Sequence, residues 1–484
     1  MLDLIKTVNL DVHKDYRMTI NGELISSEDT LPVFNPATKE TIALVPNCSK
    51  KLLNAAVAGA KSAFQAWSKT SFEKRKDVMV NLADALEENA EELMVLLTRE
   101  QGKPRAGSEW EVLGSVAWLR AIASQKIDDE VIEDSTERSV VTRYTPLGVV
   151  GAIVPWNFPL LLAVWKIAPA LMAGCTVVVK PSPYTPLCDL KFVEMANAIL
   201  PPGVLNCLSG GNEQGQWLTE HADVAKIAFT GSTATGQKVM SACATTIKRV
   251  TLELGGNDPA IVLPDVDPKT IAPKLFWAAF QNNAQFCNAT KRLYIHDSIY
   301  DDVRDALVDY IENEVIVGDG SKPETMLGPI QNTMQYEKVK TYFKDCKENG
   351  FSFATGGEID ENAEGWFVPV TLVDNPPENS RIVTEEPFGP ILPLLRWTDE
   401  HDVITRANDT IYGLGASIWG NDSAATQRIA EQIEAGTVWI NEVHQYSPEQ
   451  AFGGHKQSGL GCENSIHGLM EYTNWQTITR NKDI

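Results

Sequence analysis

VVGAIVPWNFPLLLAVWKIAPALMAGCTVVVK, residues 149–180, decides the fold. It opens with VVGAIV (149–154), crosses a loop fenced by prolines, continues through a long apolar segment and closes with TVVVK (176–180). Neither β-branched run alternates apolar with polar residues, which is the pattern of a strand covered on both faces. Runs of the same kind follow at VLNCL (204–208), KIAFT (226–230) and RVTLEL (249–254), with helical segments between them. Strands that alternate with helices in this way predict an α/β fold: a doubly wound parallel sheet with right-handed crossovers and a nucleotide-binding layout. Ligands in such sheets collect beyond the carboxyl ends of the strands, so the chemical residues are expected in the loops 155–159, 180–184, 230–236 and 253–256.

Upstream, residues 50–103 read as helices, because apolar positions recur every three or four residues and the run closes on Gly102 and Pro104. Downstream, a second α/β series runs from about Ile261 to about Ile440, with strands expected at AIVLP, RLYIH, FVPVTLV, ILPLLRW, ASIWG and TVWIN. The polar, strand-like segment 125–146 and the alternating EYTNWQTITR (471–480) are expected to pair as a small outlying β arm that serves assembly. This gives a cofactor domain over 1–124 and 147–255, a second α/β domain over 256–457, and an arm over 125–146 and 458–484.

The chain has 484 residues, of which 43% are hydrophobic, which is enough for more than one core. Its net charge of -22 argues against partners that need basic surface, namely nucleic acid and anionic lipid. The N-terminal MLDLIKTVNLDVHKD carries charges every few residues, unlike a secretory signal, and the apolar stretch 148–174 is broken by Asn157, Lys166 and prolines, unlike a membrane helix. Eight cysteines scattered singly show neither metal-ligand spacing nor a disulfide framework. A cytoplasmic protein without a bound metal is the expectation.

FQNNAQFCNATKR (280–292) sets Cys287 in a loop ahead of the RLYIH strand. A single cysteine is usually a packing residue, and its surroundings give it weight. RVTLEL ends at Glu253, followed by Leu254 and two glycines; a carboxylate half-buried there has the raised pKa that a general base requires. VPWNFP (154–159) projects Asn157 beyond a core strand, where its amide can donate to an oxyanion or merely to its own turn. FTGSTATG (229–236) leads from a strand into a helix, so N–H groups near Gly231 and Gly236 face that end and suit a pyrophosphate. Lys180 follows a strand and can reach ribose hydroxyls or a phosphate, and Glu386 beside Phe388 suits a ribose and an aromatic face for nicotinamide. Each of these also has an ordinary reading as loop chemistry.

Taken in order, VPWNFP, KPSPYTP, FTGSTATG, LELGG, QNNAQFC, EEPFGP and FGGHKQSGLG resemble the aldehyde dehydrogenase superfamily from about Phe34 to Trp475. The resemblance implies Cys287 as nucleophile, Glu253 as base and Asn157 as oxyanion donor, with a secondary proton path through Lys166 and Glu463. It implies NAD or NADP as cofactor, NAD slightly favoured, held by Trp156, Lys180, Ser182, Gly231, Ser232, Gly236, Leu254, Glu386 and Phe388. Leu162, Trp165, Phe286, Asn288, His444, Tyr446 and Phe452 would line the access tunnel, a mostly aromatic wall suited to an apolar or aromatic aldehyde, although the same residues suit core packing. A homodimer or homotetramer is implied.

Two departures stand out: Ala284 replaces the usual glycine of the cysteine signature, and Pro183 stands where many NAD-preferring members carry a ribose-binding glutamate. The alternatives are a semialdehyde dehydrogenase, a CoA-acylating dehydrogenase, or a scaffold retained for binding without turnover. The presence of Glu253 favours hydrolysis over acyl transfer to coenzyme A.

Overall fold

The computed structural model describes residues 15–483. The start of the 1–124 segment, including the charged N-terminal stretch up to Lys14, and the last residue of 458–484 lie outside the described residues.

The quoted stretch forms the expected unit: strand Val149–Ile153, helix Pro159–Ala173 and strand Thr176–Lys180. The helix opens on proline, whose missing N–H costs nothing in the first turn, and it stops at Gly174, which takes a left-handed φ of 94°. All five residues of each strand are buried, which accounts for their unbroken apolar character.

Among the described residues the first sheet has eight strands. Five are parallel, in the order Arg249–Glu253, Val224–Thr230, Val149–Ile153, Thr176–Lys180 and Leu205–Cys207. The chain moves outward one way from Val149–Ile153 and then returns to build the other way from Val224–Thr230. The topological switch, and with it the crevice for a ligand, therefore lies between these two strands. The hairpin Met18–Ile20 and Glu23–Ile25 closes one edge and Gly459–Leu460 closes the other, both antiparallel. Neither edge has a strong pattern in the sequence.

The second sheet has seven strands among the described residues and uses five of the six expected segments almost as read: Asp258–Val262, Thr290–His296, Ile391–Trp397, Gly415–Trp419 and Thr437–Ile440. FVPVTLV contributes only Thr371–Asp374, because Pro369 has no N–H to give a ladder. The arm strand Thr473–Asn481 pairs antiparallel with Arg138–Pro146 along its whole length, and Glu130–Asp134 adds a third strand. The 458–484 segment itself divides: Gly459–Leu460 belongs to the first sheet, and only the stretch from Thr473 onward is arm. No helix among the described residues is long and apolar enough to cross a membrane.

Cys287 lies, as expected, in the loop ahead of strand Thr290–His296, at that strand's amino end and outside the carboxyl-end loops of the first sheet. Glu253 ends a strand of the first sheet and Asp258 begins a strand of the second, so the carboxyl edge of one sheet faces the amino edge of the other. The site is built between the two.

Candidate active site

The loop carrying Cys287 leaves helix Pro268–Phe280 and immediately takes three left-handed residues, Asn282, Asn283 and Ala284, with φ of 52°, 56° and 59°. Asparagine tolerates this region because its short amide can bond the nearby backbone. Asn282 Nδ2 donates to the carbonyls of Asn157 (3.2 Å) and Gln285 (3.3 Å), and Asn283 Nδ2 donates to Gly328 O (2.8 Å). Gln285 Nε2 donates to Asn282 O and Pro329 O, while its Oε1 accepts from Gln331 N. The turn is thus held by amides on both sides, and Ala284 is its one member with neither a polar side chain nor the freedom of glycine.

Asn157 is buried and its Nδ2 donates to Gln285 O at 3.1 Å, so it lies against the same loop and keeps a second N–H for another acceptor. Its own loop is pinned from below. Lys103, ion-paired in the interior with Glu111, donates to Asn157 O at 2.8 Å. Glu111 Oε1 in turn accepts from Leu160 N and Leu161 N at the start of helix Pro159–Ala173. Sequence reasoning missed both: Lys103 sits in the short link before helix Arg105–Ile122, which carries Glu111, and nothing in residue type or spacing marks either as buried.

Glu253 is buried and its Oε1 has no hydrogen-bond partner among the described residues. Burial holds its carboxyl well above the usual range, Glu463 adds to that, and Lys166 works against it. Lys166 and Glu463 form a sealed ion pair at 2.6 Å, and Glu463 Oε2 is also left without a partner. Cys287 is partly buried; burial pushes its thiol up to about 12, with Lys291 opposing and Glu253, Asp258 and Glu386 reinforcing. The resting thiol is protonated at neutral pH.

The seven residues expected along the tunnel form one connected set of contacts that reaches Cys287 through Leu162, Phe286 and Tyr446. Phe158 and Phe286 lie 4.8 Å apart between ring centres in a cluster with Leu162, Cys287 and Tyr446. Trp165 meets Tyr446 and Phe452 edge-on at 6.4 and 5.6 Å, and Phe286 meets His444 at 4.5 Å. Asn288 donates to the Tyr446 hydroxyl, and its carbonyl is bonded by His444 Nε2 at 3.1 Å. Burial pushes His444 down to about 4, so the wall is neutral at physiological pH. Phe158 and Trp439 also belong to it, the latter 5.7 Å from Tyr446. They were not anticipated, since an aromatic flanking a strand gives no separate signal.

On the far side, Lys180 is buried, has no hydrogen-bond or ion-pair partner among the described residues, and is pushed down to about 8 by burial alone. Ser232 caps helix Thr233–Ala244 by accepting from Thr235 N. Gly236 packs so closely on Leu254 that a Cβ there would lie 2.4 Å from a leucine methyl. Trp156 and Phe388 meet edge-on at 5.4 Å, which brings the first sheet's loop and the EEPFGP loop together. Glu386 accepts from Gly256 N at 3.0 Å and pairs with Lys291 at 3.5 Å. Ser182 is buried and its hydroxyl accepts from Tyr184 N, so it serves the turn in this state.

A cysteine and an unpartnered glutamate between two sheets, beside an uncompensated lysine and a capped helix end, find their match in a known family: the aldehyde dehydrogenase family model covers residues 24–478. The chain belongs to this family. Phenylacetaldehyde dehydrogenase of Pseudomonas fluorescens is 40% identical to it, over 96% of this chain and 95% of that one. Succinate-semialdehyde dehydrogenase of Arabidopsis thaliana is also 40% identical, over 94% and 87%. Among solved structures, an aldehyde dehydrogenase from Bacillus cereus in complex with NAD+ superposes with a TM-score of 0.95 at 36% identity, covering 99% of each chain. Betaine aldehyde dehydrogenase from Staphylococcus aureus, also with NAD+, gives 0.94 at 33%, covering 98% and 96%.

The left-handed Ala284 leads to a stability prediction. A β-carbon in this region costs about 1 kcal/mol, partly offset by the extra unfolded-chain freedom of glycine. Ala284→Gly is expected to raise the thermal midpoint by about 1 °C, read by differential scanning fluorimetry. A lower midpoint would mean that the turn is not strained there.

Proposed function

We propose that the chain oxidises an aldehyde to its carboxylate with NAD or NADP, through nucleophilic attack by Cys287 and hydrolysis assisted by Glu253. The observation that carries this reading is the meeting of three groups: a thiol packed in an aromatic cluster, an asparagine amide from a second loop bonded to the thiol's own loop, and a buried carboxyl with a free oxygen.

The residues present fit a dinucleotide. A buried ammonium with no partner calls for hydroxyls or phosphate oxygens, and the capped N-terminus of helix Thr233–Ala244 favours an anion. Lys180, Ser182, Trp156, Gly231, Ser232, Gly236, Leu254, Glu386 and Phe388 would hold it. When bound, the coenzyme supplies the hydride acceptor. Among the described residues Lys180 has no acidic partner, and Pro183 carries no charge to oppose the extra phosphate of NADP.

In the chain's own part of the reaction, Cys287 loses its proton and its sulfur attacks the carbonyl carbon. Asn157 Nδ2 and the Cys287 N–H stabilise the oxyanion of the thiohemiacetal, a contribution of the kind worth roughly 10²–10³ in rate per donor. After oxidation to the thioester, Glu253 takes a proton from the attacking water. Lys166 and Glu463 behind it would carry that proton away. The neutral aromatic wall favours an apolar or aromatic aldehyde, in keeping with the likeness to a phenylacetaldehyde dehydrogenase. The arm, with Val131, Trp475 and Ile478 exposed, is read as the contact that builds a homodimer or homotetramer.

Two kinetic outcomes are expected. Glu253→Gln keeps a single-turnover burst of NAD(P)H while steady turnover falls roughly 10²–10⁴-fold; in the unaltered enzyme kcat rises with pH along a limb well above the carboxylate range, because the ionised base is needed and burial raises its pKa. Unchanged steady turnover in the variant would remove Glu253 from hydrolysis. Against phenylacetaldehyde, hexanal, succinate semialdehyde and betaine aldehyde with both coenzymes, kcat/KM should favour the first two at least tenfold, about 1.4 kcal/mol. A preference for either charged aldehyde would overturn the substrate reading. Light scattering at assay concentration tests the arm: Trp475→Ser with Ile478→Ser should lower the oligomer mass, and an unaltered mass excludes it.

A further inference from the structure

We infer that Lys291 is a positioning residue for the nucleophile that acts through its charge as well as its bonds: its ammonium clasps main-chain carbonyls on both sides of the thiol, which sets a positive charge near the sulfur, and ties that loop to Glu386. The inference rests on the reading of Cys287 as nucleophile and deepens it.

Lys291 lies four residues beyond Cys287, in the strand Thr290–His296, yet its side chain turns back. Nζ donates to Cys287 O at 2.5 Å and to Phe286 O and Ala289 O at 3.2 Å each. The side chain is buried, and the one carboxylate paired with it among the described residues is that of Glu386 at 3.5 Å. A buried ammonium directed at three carbonyls of one turn fixes that turn as three hydrogen bonds to neutral donors would not, because each bond is charge-assisted.

Its charge also acts on the sulfur. The groups facing Cys287 are Glu253 at the end of one strand, Asp258 at the start of the next, Glu386 from the EEPFGP loop, and Tyr446 from the loop after Thr437–Ile440. The carboxylates oppose ionisation of the thiol and Lys291 favours it. His444, in the same loop as Tyr446, is held neutral and adds no charge. Glu386 therefore has two effects on the sulfur, a direct one through its own charge and an indirect one through Lys291. A coenzyme ribose that took up the Glu386 carboxylate would leave the Lys291 charge less offset, which couples occupancy of the far side to reactivity of the thiol.

The test is alkylation of Cys287 by iodoacetamide in the full-length protein without coenzyme, followed by peptide mass spectrometry from about pH 6 to about pH 10. With the thiol near 12, the rate climbs through this range without a plateau. Lys291→Met is expected to slow alkylation roughly three- to tenfold at every pH, a loss of thiolate partly offset by a stronger nucleophile, and Lys291→Arg to restore most of it. Glu386→Gln should speed it roughly threefold. If Lys291 only braced the loop, its loss would loosen the turn and expose the sulfur, and alkylation would quicken. Wild-type or faster alkylation in Lys291→Met overturns the inference. Should that variant not fold, Glu386→Gln decides alone, and an unchanged or slower rate in it overturns the inference equally. Full turnover by Cys287→Ser would sink the catalytic reading instead, leaving the alkylation result to judge Lys291 by itself.

Discussion

The site depends on a very short link. Between Glu253, the last residue of one strand, and Asp258, the first of another, only four residues run, and two of them are glycines. A Cβ on Gly256 would lie 2.4 Å from Asp258 Oδ1 and 2.7 Å from the Cys287 carbonyl, closer than such contacts ever come. A Cβ on Gly255 would lie 2.5 Å from a Glu386 oxygen. Removing the side chains at this point lets the amino edge of the second sheet close onto the carboxyl edge of the first. Glu253, Cys287 and Glu386 share one small volume as a result.

That closeness sets the electrostatics. Several carboxyls and a thiol are shut away from water with few cations, so burial drives Glu253, Asp258 and Cys287 all toward their neutral forms, Asp258 to about 7. The resting site is chemically quiet. Three buried pairs border the site: Lys166 with Glu463 behind the proposed base, Lys103 with Glu111 beneath the proposed oxyanion loop, and Lys291 with Glu386 beside the proposed nucleophile, while Lys180 has no partner among the described residues. Buried pairs of this kind add little stability on balance; Lys103 and Lys291 also hold main-chain carbonyls of two loops of the site.

Much of this was legible in the residues. The β-branched runs without alternation gave a doubly wound sheet, and the arm strands were readable from their period of two. Cys287, Asn157 and Glu253 were picked out by residue type and place, and the tunnel residues by resemblance. The edge strands at Met18–Ile25 and Gly459–Leu460 were not, because three or two residues paired across long sequence separation carry no local pattern. Lys103, Glu111 and Lys291 escaped for a related reason: a charged side chain in a link, helix or strand reads as solvated, and only its tertiary partners reveal that it is buried.

By itself, the order of residues determined which segments become the central strands and the amphipathic helices, because burial on both faces and helical periodicity are local properties of the chain. It also determined which side chains are chemically able to attack, accept a proton or donate to an oxyanion. Only the tertiary structure decided that the amino edge carrying Cys287 meets the carboxyl edge that ends in Glu253, that burial raises its thiol, and that Lys291 turns back toward it. Those outcomes depend on distances between residues far apart in sequence and on the loss of water around them, and neither exists until the two sheets have closed.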